Sequence, residues 1–172
     1  MAQPNEERSN VRDAGVEDLD QVSLLIRDAY QEYQANFSPE VWERYSREIM
    51  DVRSRLDTSE LIVAENSGRL VGAVTFYRNT SPSDQGGWPA GWTGIRLLAV
   101  HPDARGVGMG RVLMDECLRR SRLLSATALG LHTTELMGIA RGMYERMGFV
   151  QVPEYDFQAG PEVLVLGYRL DL

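Results

Sequence analysis

The sequence contains no lysine, and it has one cysteine and two histidines among its 172 residues. Without lysine there is no Gly-Lys-Ser/Thr sequence, which excludes a nucleotide-hydrolysing P-loop. The single cysteine, Cys117, excludes an internal disulfide framework and fits a reducing compartment, so we expect a cytoplasmic protein. Because these sulfur and imidazole groups are few and far apart in the chain, we expect no metal.

Long apolar runs and an excess of positive charge are missing as well. No stretch approaches the roughly 20 apolar residues of a membrane-spanning helix, and the N-terminus has no signal-peptide core. The net charge of −7 disfavours sequence-independent binding to nucleic acid and mildly favours a cationic small molecule. We therefore expect neither a membrane nor a nucleic acid as partner. The length predicts one domain over residues 1–172, with a flexible tail at residues 1–8.

The first half of the chain predicts helices and a β-hairpin. Apolar residues from Val16 to Tyr33 recur at the three- and four-residue spacing of an amphipathic helix. Ser38 and Pro39 match an N-cap followed by a first helical residue, and Asn66-Ser67-Gly68-Arg69 matches a hairpin turn. The predicted elements are a strand at residues 10–14, helices at residues 16–33 and 38–55, and strands at residues 61–65 and 70–77.

The second half predicts strands that alternate with helices. Residues 78–94 form a long break rich in Gly, Ser, Pro and Trp, and a loop of that length is usually functional or mobile. The apolar run at residues 95–100 predicts a strand buried on both faces. Further on we expect helices at residues 112–124 and 136–147, with Gly148 ending the second, and strands at residues 129–133, 149–152 and 162–170. This order predicts a mixed α/β sheet with helices on its faces.

Three glycines alternate in Arg105-Gly106-Val107-Gly108-Met109-Gly110, where a strand turns into a helix. Such a loop leaves backbone N–H groups uncovered at a helix N-terminus, which suits a phosphate. A dinucleotide-binding fold would place G-x-G-x-x-G directly after the strand, with an acid such as Glu135 on the ribose. Here residues 101–105 intervene and the glycine spacing is G-x-G-x-G, so this alternative is disfavoured.

Residues 97–113 resemble the acetyl-CoA motif of the GNAT family of N-acetyltransferases, whose Gln/Arg-x-x-Gly-x-Gly/Ala core is matched by Arg105, Gly108 and Gly110. Residues 140–149 resemble the family's closing helix with its Tyr-Glu-x-x-Gly-Phe ending. The order of elements agrees over roughly residues 10–170. The resemblance implies a largely antiparallel, twisted sheet of about seven strands and four helices, splayed between strands 4 and 5.

The resemblance also implies acetyl-CoA as co-substrate. The glycine loop would hold its pyrophosphate, the fourth strand would pair with its pantetheine arm, and the closing helix would complete the site. The implied cofactor residues are Leu98, Ala99, Val100, Arg105, Gly106, Val107, Gly108, Met109, Gly110, Arg111, Ala140 and Met143. One departure is Met137, since many relatives have there an asparagine that bonds the CoA arm.

In the implied reaction an amine attacks the thioester carbonyl and a thiolate leaves. Because the thiol has a pKa of about 8.5, a tyrosine near pKa 10 can protonate the thiolate. Tyr144 matches the family's acid position, although its place on an apolar stripe also suits a core tyrosine. The general base stays open, because residues 93–96 contain no acid: water with backbone carbonyls, Glu135, Asp156 and His132 are the candidates.

The acceptor is expected to be a primary amine of a small molecule or a peptide. In this family the acceptor pocket is built by the first two helices, the loop after the third strand and the C-terminal strands. Aromatic rings there suit a cation, or an apolar acyl or aryl group. The candidate residues are Tyr33, Phe37, Trp88, Trp92 and Asp156. The two tryptophans also suit a lid or a homodimer contact. A non-catalytic acyl-CoA-binding sensor is the alternative function, which the missing acid favours and Tyr144 disfavours.

Overall fold

The computed structural model describes residues 10–84, 86–161 and 163–172. The predicted tail at residues 1–8, and the first residue of the strand predicted at 162–170, lie outside this range. The helices are α1 (Leu19–Tyr30), α2 (Pro39–Met50), α3 (Met109–Leu123) and α4 (Gly138–Arg146). The strands are β1 (Asn10–Asp13), β2 (Glu60–Asn66), β3 (Arg69–Tyr77), β4 (Trp92–Val100), β5 (Ala128–Thr134), β6 (Val150–Gln151), β7 (Phe157–Gly160) and β8 (Val163–Asp171).

The strands hydrogen-bond in the order β1-β2-β3-β4-β5-β8-β6, with β7 also on β8. The β1–β2, β5–β8, β6–β8 and β7–β8 pairs are antiparallel, and β4 pairs with β5 in parallel. The parallel ladder runs only from Trp92↔Ala128 to Gly94↔Gly130, although both strands continue. The expected mixed, largely antiparallel sheet with a splay between the fourth and fifth strands is therefore confirmed.

The chain divides by packing into two compact units. The first contains Met1–Asp57, Leu61–Val74 and Leu97–Met114, and the second contains Thr58–Glu60, Thr75–Arg96 and Asp115–Leu172. Strands β3 and β4 contribute residues to both. The single domain over residues 1–172 stays a prediction.

Helices α1 and α2 are shorter than their sequence patterns suggest. The predicted apolar face of α1 is buried from Leu19 to Tyr30, but the chain then continues as a 3-10 turn, Gln31–Asn36. The N-cap of α2 is confirmed, since the Ser38 hydroxyl accepts a 3.4 Å hydrogen bond from the Val41 N–H. This helix ends at Met50 rather than near residue 55, because Asp51 has left the helical region with ψ at 71°.

The β2–β3 hairpin is confirmed, with Ser67 and Gly68 at φ of 51° and 76° as a two-residue type I′ turn requires. The break predicted at residues 78–94 wrongly includes the first residues of β4, which begins at Trp92. Residues 96–98 of β4 are only half-buried, against the prediction of a strand buried on both faces. The reason is that the parallel ladder with β5 ends at Gly94.

The C-terminal part of the second unit differs in detail from the prediction. The sheet has an unpredicted strand, β7, among the eight that the described residues form. The strand predicted at residues 149–152 is reduced to Val150–Gln151. Leu136 and Ile139, on the predicted apolar face of the closing helix, are exposed. Nowhere in the described residues is a helix both long enough and apolar enough to span a bilayer.

The Trp88 side chain packs the loop before β4 against Trp92, His132 and Gly130. Its indole is 3% exposed and stacks on Trp92, with ring centroids 5.6 Å apart, and on His132, at 4.5 Å. The ring lies directly over Gly130 of β5, where an added Cβ would come within 2.7 Å of indole carbons. The glycine therefore leaves the space that the indole fills.

We expect Gly130→Ala to lower the free energy of unfolding by about 1–3 kcal/mol, because the indole must move off its site. Chemical denaturation followed by tryptophan fluorescence measures this loss. Gly138→Ala is the control, since an added Cβ there meets nothing within 4 Å and the position begins a helix. Equal stability of the two variants would show that Trp88 does not depend on Gly130.

Candidate functional site

The glycine loop enters α3 through two left-handed residues. Gly106 and Gly108 have φ of 81° and 87°, a region that glycine adopts without steric cost. An added Cβ at either glycine meets nothing within 4 Å, so the requirement is one of conformation and not of space. The first intrahelical bond joins the Val112 N–H to the Gly108 carbonyl at 3.0 Å. N–H groups before that bond have no intrahelical acceptor and suit an anion.

The last residues of β4 accept hydrogen bonds from side chains of the first unit. Leu97 has a φ of 54°, an uncommon conformation for a residue with a side chain, midway along the strand. Beyond it, the Leu98 carbonyl accepts a 3.2 Å bond from the Tyr30 hydroxyl, and the Val100 carbonyl accepts a 3.3 Å bond from Arg105 Nε. Both carbonyls belong to the segment expected to pair with pantetheine.

The Arg105 guanidinium makes three contacts within the first unit. Besides Val100, it donates to the Ala29 carbonyl at 2.8 Å and to Glu32 Oε1 at 2.8 Å. It is therefore not a simple solvated charge at a helix start. Arg111 is exposed on the first turn of α3. Sequence reasoning missed this cluster, because no spacing rule links residues 76 positions apart.

Two acceptor candidates, Tyr33 and Phe37, lie on the segment after α1. Tyr33 packs edge-to-face on Tyr30, with centroids 5.9 Å apart, and burial raises the pKa of its hydroxyl, with Glu32 acting in the same direction. Phe37 stacks on Tyr45 at 5.7 Å. A shallow surface pocket of about 460 Å³ is lined by Gln31, Glu32, Gln34, Ala35, Phe37, Pro39 and Trp42.

Tyr144 lies buried on α4 in the second unit, and the end of that helix is closed by the residues of its own motif. The Phe149 N–H bonds to the Tyr144 carbonyl and the Gly148 N–H to the Glu145 carbonyl, both at 3.0 Å. Gly148 has a φ of 96°, and the Phe149 ring lies 5.8 Å from the Tyr144 ring. These features make a Schellman motif with its apolar contact, which confirms Gly148 as the helix stop.

The same helix carries the other candidates of the second unit. Ala140 and Met143 are half-buried, and Ala140, three residues before Met143 and four before Tyr144, neighbours both on the helix surface. The adjacent Glu145 accepts a 2.9 Å bond from the buried Tyr168 hydroxyl of β8. Burial raises the pKa of Tyr168, with Glu145 adding to the effect. Sequence reasoning missed this bond, which joins two elements far apart in the chain.

The candidate bases of the second unit have structural partners. His132 Nε2 donates to the Tyr155 carbonyl at 3.0 Å, and burial lowers the pKa of the imidazole, which favours its neutral form. Asp156 accepts from the Gly167 N–H at 2.7 Å and from Gln151 Nε2 at 3.0 Å. Glu135 is exposed.

The two tryptophans named as acceptor candidates differ in burial. Trp88 is buried in its aromatic stack, whereas Trp92 is half-buried.

Side chains of the types that ligate metals, and the single thiol, also lie in the described part of the chain. There, no group of three His, Cys, Asp or Glu side chains lies close enough to hold a metal ion. Cys117 is buried in α3, and burial raises the pKa of its thiol well above the usual range. It is therefore unsuited to be a nucleophile.

Comparisons with known proteins agree with this arrangement. A curated relative, a mycothiol acetyltransferase of Propionibacterium freudenreichii subsp. shermanii, is 34% identical over 105 residues, which is 58% of this chain and 32% of the relative. A second, from Geodermatophilus obscurus, is 28% identical over 110 residues, or 64% and 35%. The chain thus spans about a third of the length of these relatives.

Solved structures show the same fold. The PaiA N-acetyltransferase of Thermoplasma acidophilum, in complex with coenzyme A, superposes with a TM-score of 0.72 at 16% identity, over 93% of this chain and 98% of that one. A GNAT family acetyltransferase of Brucella melitensis, in complex with acetyl-CoA, superposes with a TM-score of 0.62 at 20% identity, over 97% of this chain and 92% of that one.

The sequence model described as the acetyltransferase (GNAT) family matches residues 26–149. The chain belongs to the GNAT family of acetyltransferases.

Proposed function

We propose that this chain transfers an acetyl group from acetyl-CoA to a primary amine of a small molecule or a peptide. The observation that carries the proposal is the glycine loop at residues 105–111, which turns into α3 through two left-handed glycines. Its N–H groups and the positive end of the helix suit a diphosphate. That structural neighbours are complexes with coenzyme A and acetyl-CoA supports the same cofactor.

The remaining cofactor contacts follow the family pattern. Backbone groups at Leu98, Ala99 and Val100 would pair with the pantetheine arm as a neighbouring strand would. By the same pattern, Ala140 and Met143, on one face of α4, are further candidate residues for the cofactor. A backbone N–H of β4 would polarise the thioester carbonyl, a contribution of a few kcal/mol to the transition state.

Tyr144 is the proposed catalytic acid. The neutral amine nitrogen attacks the thioester carbonyl carbon, the C–S bond breaks, and the thiolate takes the proton of the Tyr144 hydroxyl. The nitrogen loses one proton to water, and water returns a proton to the Tyr144 phenolate. The Schellman motif holds the backbone of Tyr144 and places the Phe149 ring beside its own, so the side chain proposed as the acid has a fixed position.

Water and backbone carbonyls are the proposed route for the proton of the amine. At the start of β4, where many relatives carry a glutamate, the Thr93 hydroxyl is buried 2.7 Å from that of Ser121. His132 and Asp156 already have the structural partners described above.

The missing acid on β4 favours one alternative, a non-catalytic acyl-CoA-binding module. A thiol-release assay with acetyl-CoA and a panel of alkylamines, amino acids, aminoglycosides and peptide N-termini separates the two. We expect turnover with at least one primary amine. Binding of CoA measured by calorimetry, with no thiol release on any member of the panel, would favour the binding module.

We expect Tyr144→Phe to lower kcat by about 100-fold or more, the typical contribution of a general acid. The dissociation constant of acetyl-CoA should stay nearly unchanged, since the ring remains. Tyr168→Phe is the matched control: it removes another buried hydroxyl of the same unit, one bonded to Glu145, and should retain turnover. An unchanged kcat in Tyr144→Phe would remove this residue from the mechanism.

We expect Gly108→Ala to weaken CoA binding by about tenfold, because relief of the left-handed strain moves the loop N–H groups. The strain itself costs about 1–2 kcal/mol of stability. Gly68→Ala is the control, since Gly68 also has a positive φ of 76° and an open Cβ site, but lies in the β2–β3 turn. Denaturation should show similar losses of stability in the two variants. Calorimetry should show a loss of CoA affinity only in Gly108→Ala.

A further inference from the structure

We infer that the Arg105 side chain is a positioning residue for residues 30–37, the acceptor segment, and not a ligand of the cofactor diphosphate. The catalytic part of this inference rests on the proposed function. It assigns the arginine of the glycine motif a task separate from that of the motif's backbone. Three observations within the first unit carry it.

The first observation is the direction of the guanidinium. Its hydrogen bonds run to the carbonyls of Val100 and Ala29 and to the carboxylate of Glu32. Ala29 lies in the last turn of α1, where a cation interacts favourably with the helix dipole. Arg105 therefore joins the end of β4 to the end of α1 and to the segment that follows.

The second observation is an independent connection between the same two regions. The Tyr30 hydroxyl donates to the Leu98 carbonyl, and Tyr33 packs edge-to-face on the Tyr30 ring. The acceptor segment is thus attached to the end of β4 at two points, Leu98 and Val100. Its position therefore depends on the strand that is proposed to carry pantetheine.

The third observation concerns the pocket that the acceptor segment lines. The shallow pocket beside it is formed by residues 31–42, and Glu32 belongs both to this pocket and to the Arg105 ion pair. The diphosphate needs no such side chain, because the glycine loop offers backbone N–H groups. Loss of the guanidinium should consequently loosen the acceptor side and leave the cofactor side in place.

The test compares Arg105→Gln, Arg105→Lys and Glu32→Gln in the full chain. Arg47→Gln is the matched control, because Arg47 makes an exposed 2.7 Å ion pair with Glu43 on α2. Hydrogen exchange of the free protein reports local opening of residues 30–37. Calorimetry gives the dissociation constant of CoA, and steady-state kinetics gives KM for acetyl-CoA and for the best amine of the panel.

We expect Arg105→Gln to raise exchange at residues 30–37 by about tenfold. It should raise the KM for the amine by about fivefold or more, and change CoA affinity by less than about twofold. Arg105→Lys should fail to restore the protection, since an ammonium lacks the planar fork that reaches three acceptors. Glu32→Gln should have a smaller effect, and Arg47→Gln none.

Other results overturn the inference. If Arg105→Gln weakens CoA binding by about tenfold while exchange at residues 30–37 is unchanged, the guanidinium is a diphosphate ligand. If Arg105→Gln changes neither the hydrogen exchange of residues 30–37 nor the CoA affinity, the guanidinium has no positioning role. The same holds if Arg105→Lys keeps the full protection of these residues. If Arg105→Gln does not fold, the lysine and Glu32 variants decide. If no amine is acetylated, the proposed function fails, while exchange and CoA affinity still decide the role of Arg105.

Discussion

The parallel pairing of β4 with β5 stops after Gly94, and much of the chemistry proposed for this chain depends on that early end. Backbone N–H and C=O groups inside a protein require partners. Beyond the ladder, the Leu98 and Val100 carbonyls of β4 accept from the Tyr30 hydroxyl and the Arg105 guanidinium. These two carbonyls are therefore already engaged by side chains, and a ligand that pairs with this edge as a strand does would share or replace those donors.

Both family motifs set the backbone conformation at one end of a helix. In the first, Gly106 and Gly108 take left-handed conformations that present N–H groups at the start of α3. In the second, Gly148 allows the Schellman closure that binds Phe149 to the carbonyl of Tyr144. The motif glycines therefore shape the chain at two points, whereas the Arg105 side chain hydrogen-bonds to a separate element, at the Ala29 carbonyl of α1.

Local sequence predicted the elements well wherever one local signal dominated. The apolar spacing of α1, the Ser38 cap, the hairpin turn at Ser67–Gly68 and the Gly148 stop were all confirmed, because each depends on residues at most a few positions apart. Several errors lie where distant contacts decide, whereas the early ends of α1 and α2 are local changes of backbone conformation. The start of β4 depends on pairing with β5, and the exposure of residues 96–98 depends on where that pairing ends.

The sequence by itself determined the family, through two motifs in the right order, and with it the splayed α/β sheet and the expected cofactor. Tertiary structure alone decided which side chains serve those motifs. The Arg105 contacts with Ala29 and Glu32, the Tyr168–Glu145 bond and the seat of Trp88 over Gly130 join residues far apart in the chain. No local pattern encodes such pairs, because they arise only when separate elements pack together.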